Sequence, residues 1–177
     1  MMNALARSEA LSEILSDRAV VQTMLDFESA LARVQARAGI IPLAAAERIS
    51  ATARAERFDL VELSRLTMRA GTPAIPLVKM LTQLVAEKDP AAAGYVHWGA
   101  TSQDVADTAL ILLLKRCLQA LATDQARITD ALTRLSVEHA RTVMSGRTLL
   151  QPAPPVTFGL KAAGWLAAVR RSWSRIE

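Results

Sequence analysis

The residues whose types and spacing can do chemistry lie together in Tyr95–Thr108, which reads YVHWGATSQDVADT. His97 brings an imidazole, Thr101 and Ser102 bring hydroxyls, and Asp104 and Asp107 bring carboxylates. The stretch opens as a loop, with aromatics, the histidine and Gly99 in succession and no apolar period. Thr101 followed three residues later by Asp104 reads as a capping-box-like helix start, with an acidic side chain in place of the usual Glu or Gln. A helix beginning there presents free backbone N–H groups beside two hydroxyls and an imidazole, a donor set suited to a carboxylate or phosphate. Each residue also has a plainer reading. His97 binds an anion or orients a proton donor, or it bonds the local backbone. Thr101 and Ser102 hold a carboxylate or cap the helix. Asp104 and Asp107 complement the helix dipole, and Trp98 is a pocket wall or core. His139, the other histidine, falls on the seam of the long helix that follows and reads as a bundle residue.

Composition narrows the chemistry further. The 177 residues are 51% hydrophobic but only 4% aromatic, so the apolar content is mostly Ala, Leu, Val and Ile, which favours helices packed through small side chains. A single cysteine, Cys117, excludes an internal disulfide framework and a Cys-based zinc site, and its place among leucines reads as a buried thiol. The net charge of +4 comes without a basic tail or interleaved aromatics. It therefore argues for a small polyanion rather than nucleic acid. There is no dinucleotide fingerprint, phosphate loop, Ser-His-Asp order or metal-spaced His/Asp/Glu cluster. No signal pattern and no apolar run of about 20 residues occurs, so a cytoplasmic chain is expected and a membrane span is not.

The elements that must position the stretch can be read in order. A short amphipathic piece surrounds Leu11, Ile14 and Leu15. Ser16-Asp17 caps a helix to about Ala38 with Val20, Val21, Met24, Leu25, Phe27, Leu31 and Val34 on its apolar face, stopped at Gly39. Pro42 starts a third helix over alanine-rich 43–55. Asp59 with Glu62 caps a fourth that ends at Gly71. Pro73 and Pro76 in GTPAIPLVKML break and restart the chain into a helix over 77–88. From Thr101 a leucine pattern (Leu110, Leu114, Cys117, Leu121, Ile128, Leu132, Leu135) runs toward Val143. About 40 residues at ~1.5 Å each make a rod of roughly 60 Å, which one small chain does not cover alone, so it must pack in a bundle. The segment Arg147–Gly159, RTLLQPAPPVTFG, reads as a proline-rich loop. A last helix begins near Thr157 and carries its pattern to Glu177 without a stop signal.

Two of these segments resemble a known family. HWGATSQDVADT is similar to the first signature of the fumarase/aspartase superfamily, in the adenylosuccinate-lyase-like branch that carries His-x-Gly-x-Thr-Ser-x-Asp-x-x-Asp-Thr. GRTLLQPAPPVTFGLKAAGW is similar to its second signature. Together with GTPAIPLVK and the first long helix, SDRAVVQTMLDFESALARVQARAGIIP, the motifs resemble the 3-carboxy-cis,cis-muconate cycloisomerases most closely.

The resemblance implies an all-α fold: a helical N-terminal domain over 1–94, then over 95–177 the first long helices of a fumarase/aspartase-type bundle, cut in mid-helix. It implies that four subunits pool their bundles, as a homotetramer whose active sites draw on three subunits. It also implies cofactor-free lactonisation of a tricarboxylate in protocatechuate breakdown by the β-ketoadipate route. Carried over by position, His97, Thr101 and Ser102 line the substrate-carboxylate site, and Thr148 and Gln151 join from a neighbouring subunit. Arg147, Trp98 and Asp104 are weaker candidates. Leu149 stands where adenylosuccinate lyases carry a histidine, which favours the cycloisomerase over a fumarate-releasing lyase. The third signature, a Ser-Ser-x-Met-Pro-x-Lys-x-Asn-Pro loop bearing the catalytic serine, is expected beyond residue 177, so the chain holds no catalytic base of its own. A non-catalytic, self-associating helical module is the reading from another class.

Overall fold

The computed structural model describes residues 8–176. Its helices begin where the caps say they should. Ser8 Oγ accepts from the Leu11 amide to open α1 (Glu9–Ile14), and Ser16 Oγ accepts from Ala19 to open α2 (Asp17–Arg37). Pro42 precedes α3 (Leu43–Thr52) as its N-cap rather than as its first residue. Asp59 accepts from both Val61 and Glu62 to open α4 (Leu60–Ala70), which stops at Gly71 in the left-handed region at φ +73°. Then come α5 (Ala74–Ala86), α6 (Pro90–Ala93) and the 37-residue α7 (Ser102–Glu138), about 55 Å long at ~1.5 Å per residue. A two-stranded hairpin, β1 (Val143–Thr148) and β2 (Gln151–Thr157), leads into α8 (Phe158–Ser174), with Arg175 as its C-cap.

Among the described residues the regular structure is helical apart from that hairpin, which replaces the proline-rich loop read from the sequence. The strands pair antiparallel, with Val143 opposite Thr157 and Thr148 opposite Gln151, and the register shifts between Met144 and Gly146. Prolines 152, 154 and 155 are tolerated because a two-stranded ribbon has only edges, where a missing N–H breaks no second ladder. The turn is Leu149-Leu150, both left-handed at φ +44° and +63°. That is the geometry normally supplied by Asn-Gly, so leucines there give no turn signal.

The chain separates into two compact units, the described residues up to Cys117 and those from Leu118 on. Residues 95–117, which the sequence reading assigns to the second domain, thus fall in the first unit. Its core joins Val21, Met24 and Leu25 of α2, Ala45, Ala46 and Ile49 of α3, Leu77, Leu81 and Val85 of α5, and Val105 and Ala109 of α7. Gln22 ties the loop after α3 to α2, accepting from the Ala55 amide at 2.9 Å. Arg116 ties the upper part of α7 to α2, donating to Thr23 Oγ1 at 2.8 Å.

The face of α7 that meets this core is Val105, Ala109 and Leu113, with Cys117 also buried, as read. The leucine seam named from the sequence is largely a different face: Leu110, Leu114, Leu121 and Ile128 are exposed, Leu132 and Leu135 are half-buried, and Cys117 belongs to both. No helix among the described residues is long and apolar enough to cross a membrane, and no group of His, Cys, Asp or Glu among them is arranged to hold a metal.

In the second unit Gly159 decides how closely α8 approaches the end of α7. A Cβ there would sit 2.6 Å from the Ser136 carbonyl and 2.7 Å from the Ala140 backbone. This close approach lets the Gly159 amide donate to the His139 carbonyl at 2.9 Å and sets the His139 and Phe158 rings edge to face at 5.1 Å. Gly159→Ala should therefore destabilise this unit by about 1–3 kcal/mol, the usual range for overpacking. Hydrogen exchange should quicken in residues 139–165 and stay unchanged in α2 and α5. Unchanged protection across 139–165 would contradict the close-packing account.

Candidate functional site

The loop between α6 and α7 is bent by two left-handed residues, His97 at φ +58° and Gly99 at φ +71°. Glycine takes that conformation freely, whereas a histidine needs something to hold it. Two side chains of α2, seven residues apart and so on one face, do the holding. Glu28 Oε1 lies 2.6 Å from His97 Nδ1, and Gln35 Nε2 donates to the Trp98 carbonyl at 2.7 Å. Tyr95 and Trp98 stack at a tilt, 5.9 Å between centroids, with Trp98 half exposed.

The loop then turns into α7. The Thr101 amide donates to Asp104 Oδ2 at 2.9 Å, which is the reach-back half of a capping box. The other half is absent: the Asp104 amide donates to the Thr101 carbonyl at 3.1 Å, not to its hydroxyl. Asp104 is thus the cap and Thr101 is left exposed, while Asp107 accepts from Gln103 Nε2 at 2.6 Å. The Ser102 and Gln103 amides, first in the helix, have no backbone partner, as the start of any α-helix dictates.

His97, Thr101 and Ser102 line one cleft of about 310 Å3, together with Ala100 and with Ala74, Ile75 and Val78 of α5. The GTPAIPLVK motif thus supplies the opposite wall. The sequence reading had treated it as a helix break and a family marker, without a place in the site. One side of the cleft is apolar, and the other carries an imidazole, two hydroxyls and a helix N-terminus. That arrangement suits a carboxylate attached to an unsaturated or aliphatic skeleton.

The remaining candidates lie in the second unit. Thr148 and Gln151 face each other as the pair that closes the hairpin turn, Arg147 is paired with Pro152, and all three are exposed. Leu149 and Leu150 at the tip are fully exposed.

Sequence reasoning missed Glu28. The signal was present: the buried stripe of α2 runs Val21, Met24, Leu25, Glu28, Ala32, and a carboxylate on that stripe has to have a partner. Burial pushes the Glu28 carboxyl above its usual value of 4.5, and the charge and hydrogen bond of His97 pull it part of the way back. The folded chain therefore holds this proton more tightly than the unfolded chain does. The stability it contributes is complete below pH 4.5 and is lost as the pH rises through the raised folded value. Thermal melts across that window should show stability falling with pH, and Glu28→Gln should flatten the fall. Identical slopes in the two proteins would contradict the assignment.

Comparison with known proteins places the chain in a family. The family model described as Lyase matches residues 4–177. The chain is 45% identical over 177 residues to the 3-carboxy-cis,cis-muconate cycloisomerase of Pseudomonas putida, covering 100% of this chain and 42% of that protein. It is 48% identical over 161 residues to the nitrosuccinate lyase of Streptomyces davaonensis, covering 91% of this chain and 34% of that protein. The crystal structure of the 3-carboxy-cis,cis-muconate lactonizing enzyme from Pseudomonas putida superposes with a TM-score of 0.88 at 45% identity, over 99% of this chain and 40% of that one. The chain thus spans about two-fifths of the length of the curated cycloisomerase it matches. It belongs to the lyase family and carries the fumarase/aspartase-type helical fold.

Proposed function

We propose that the cleft at the start of α7 holds a carboxylate of a small tricarboxylate, and that the chain supplies this part of a 3-carboxy-cis,cis-muconate cycloisomerase site. The observation that carries the reading is the convergence of His97, Thr101 and Ser102 on one cleft. It occurs in a chain 45% identical over its whole length to a protein of that name. In the proposed reaction a carboxylate oxygen adds to a carbon of the double bond and forms the lactone C–O bond. The displaced π electrons move onto the neighbouring carbon, and the adjacent carboxylate spreads their charge before a proton arrives. Donors fixed in place beforehand stabilise such developing charge best, and hydroxyls, N–H groups and an imidazole around a helix start are donors of that kind. The reaction needs no metal or cofactor.

In this reading Thr148 and Gln151 come to the site from another copy of the chain, with Arg147, Trp98 and Asp104 in lesser parts. The exposed seam of α7 is the surface through which copies associate, and four-fold assembly is the state the reading favours. A cytoplasmic role in protocatechuate catabolism through the β-ketoadipate route goes with it. The catalytic serine comes from a Ser-Ser-x-Met-Pro segment that these 177 residues do not contain, so the chain alone binds without turnover.

A second reading has its own support. The similarity to a nitrosuccinate lyase, at 48% identity, favours elimination from a substituted succinate held in the same cleft. Leu149, which has no proton to transfer, argues against the adenylosuccinate variant of that chemistry.

Isothermal calorimetry with tricarballylate, a stable tricarboxylate, tests the binding claim. The chain should bind it, and Thr101→Val with Ser102→Ala should weaken binding at least about tenfold, the worth of one hydrogen bond to a charged group. No heat of binding, or equal affinity in the variant, would sink the reading. Lactonisation by the purified chain would refute the placement of the proton-delivering serine elsewhere. Sedimentation should show an assembly larger than a monomer that Leu114→Glu with Leu121→Glu reduces to monomer. A monomeric parent chain would contradict the seam as an association surface.

A further inference from the structure

Glu28 occupies a place where a carboxyl is hard to justify by stability. Its side chain is 1% exposed, on the stripe of α2 that otherwise buries Val21, Met24, Leu25 and Ala32. One oxygen meets His97 Nδ1 at 2.6 Å, and the other, Oε2, is buried without a partner. A leucine would fill the same space and leave no orphaned oxygen, so an apolar side chain would serve the core at least as well. What the carboxyl adds is direction. With Nδ1 occupied, Nε2 is the polar atom left to an imidazole that lines the cleft.

The grip on His97 also bears on the backbone. His97 is left-handed and lies four residues before Thr101, so the ring and the cleft hydroxyls are presented by one bent segment. Gln35 holds the same segment at the Trp98 carbonyl. Two arginines on α2 and α7 are engaged elsewhere. Arg33 donates to Ser29 Oγ at 2.6 Å, and Arg116 donates to Thr23 and lies 3.8 Å from Asp26. Among the described residues the His97 imidazole is the titratable group in contact with the Glu28 carboxyl.

We propose that Glu28 is a positioning residue for the cleft: by holding Nδ1 of His97 it aims Nε2, together with the Thr101 and Ser102 hydroxyls, at one bound carboxylate. This deepens the anion-binding reading and rests on it. Glu28 itself touches no substrate.

Nitrogen-15 spectra of the labelled chain test it, because the chain has only two histidines. In the parent chain His97 should show a single ring tautomer with a slowly exchanging, low-field Nδ1 proton, and His139 serves as the control. Glu28→Leu should lose that proton signal and populate both tautomers, leave the His139 signals in place, and melt no lower than the parent. Its affinity for tricarballylate should fall at least about tenfold. Glu28→Gln keeps an acceptor oxygen and should retain the single tautomer and most of the affinity. A parent His97 that populates both tautomers would overturn the proposal. So would a Glu28→Leu protein that binds as tightly as the parent, or one that cannot fold. A parent chain that binds no tricarballylate would instead sink the anion-binding reading. The parent tautomer signature would then decide alone whether Glu28 holds the ring.

Discussion

The cleft at the start of α7 depends on a buried contact 2.6 Å long, between Glu28 Oε1 and His97 Nδ1. It joins the middle of α2 to a loop that would otherwise be free to take many shapes. Fixing a loop costs conformational entropy, on the order of 1–2 kcal/mol per residue for the backbone alone. The Glu28–His97 contact selects which of those shapes the loop takes. The Gln35 bond to the Trp98 carbonyl and the Tyr95–Trp98 stack add to it. The loop then enters α7 already bent, and the cleft lies between that bend and α5.

The same economy explains the division of labour along α7. Its first part is anchored by Val105, Ala109 and Leu113 in the core and by Arg116 on Thr23. Beyond Cys117 the helix belongs to the second unit, where Gly159 lets α8 start hard against Ser136 and Ala140. The leucines at 110, 114 and 121 are left exposed along the outside. That exposed apolar face is the one the proposed association of copies would use.

Much of this was legible in the sequence, and the failures have physical causes. Caps at Ser16 and Asp59, the stop at Gly71 and the helix start at Ser102 follow local rules that a few residues encode completely, so they could be read directly. Periodicity showed that α7 is long but chose the Leu110–Leu114 face over the Val105–Ala109 face. A helix apolar on two faces gives no sequence cue as to which one its own chain buries. The hairpin was hidden because two leucines occupy a turn that glycine and asparagine normally make. Of the site, His97, Thr101 and Ser102 were legible because the motif groups them, and the structure brings all three to one cleft. Glu28 lies 69 positions from its partner, a separation at which no local rule operates. Only the oddity of a carboxylate on a buried stripe pointed to it. Thr148 and Gln151 came from family resemblance, and the fold places them together at the hairpin tip.

The central claim is that the bend at His97 and the first turn of α7 form one carboxylate-binding surface. Amide chemical-shift mapping of the labelled chain during a tricarballylate titration tests it most directly. The account predicts saturable shifts concentrated at residues 97–104 and at 74–78, with the free amides of Ser102 and Gln103 moving most. Shifts spread over surface arginines, or none in these two segments, would contradict it.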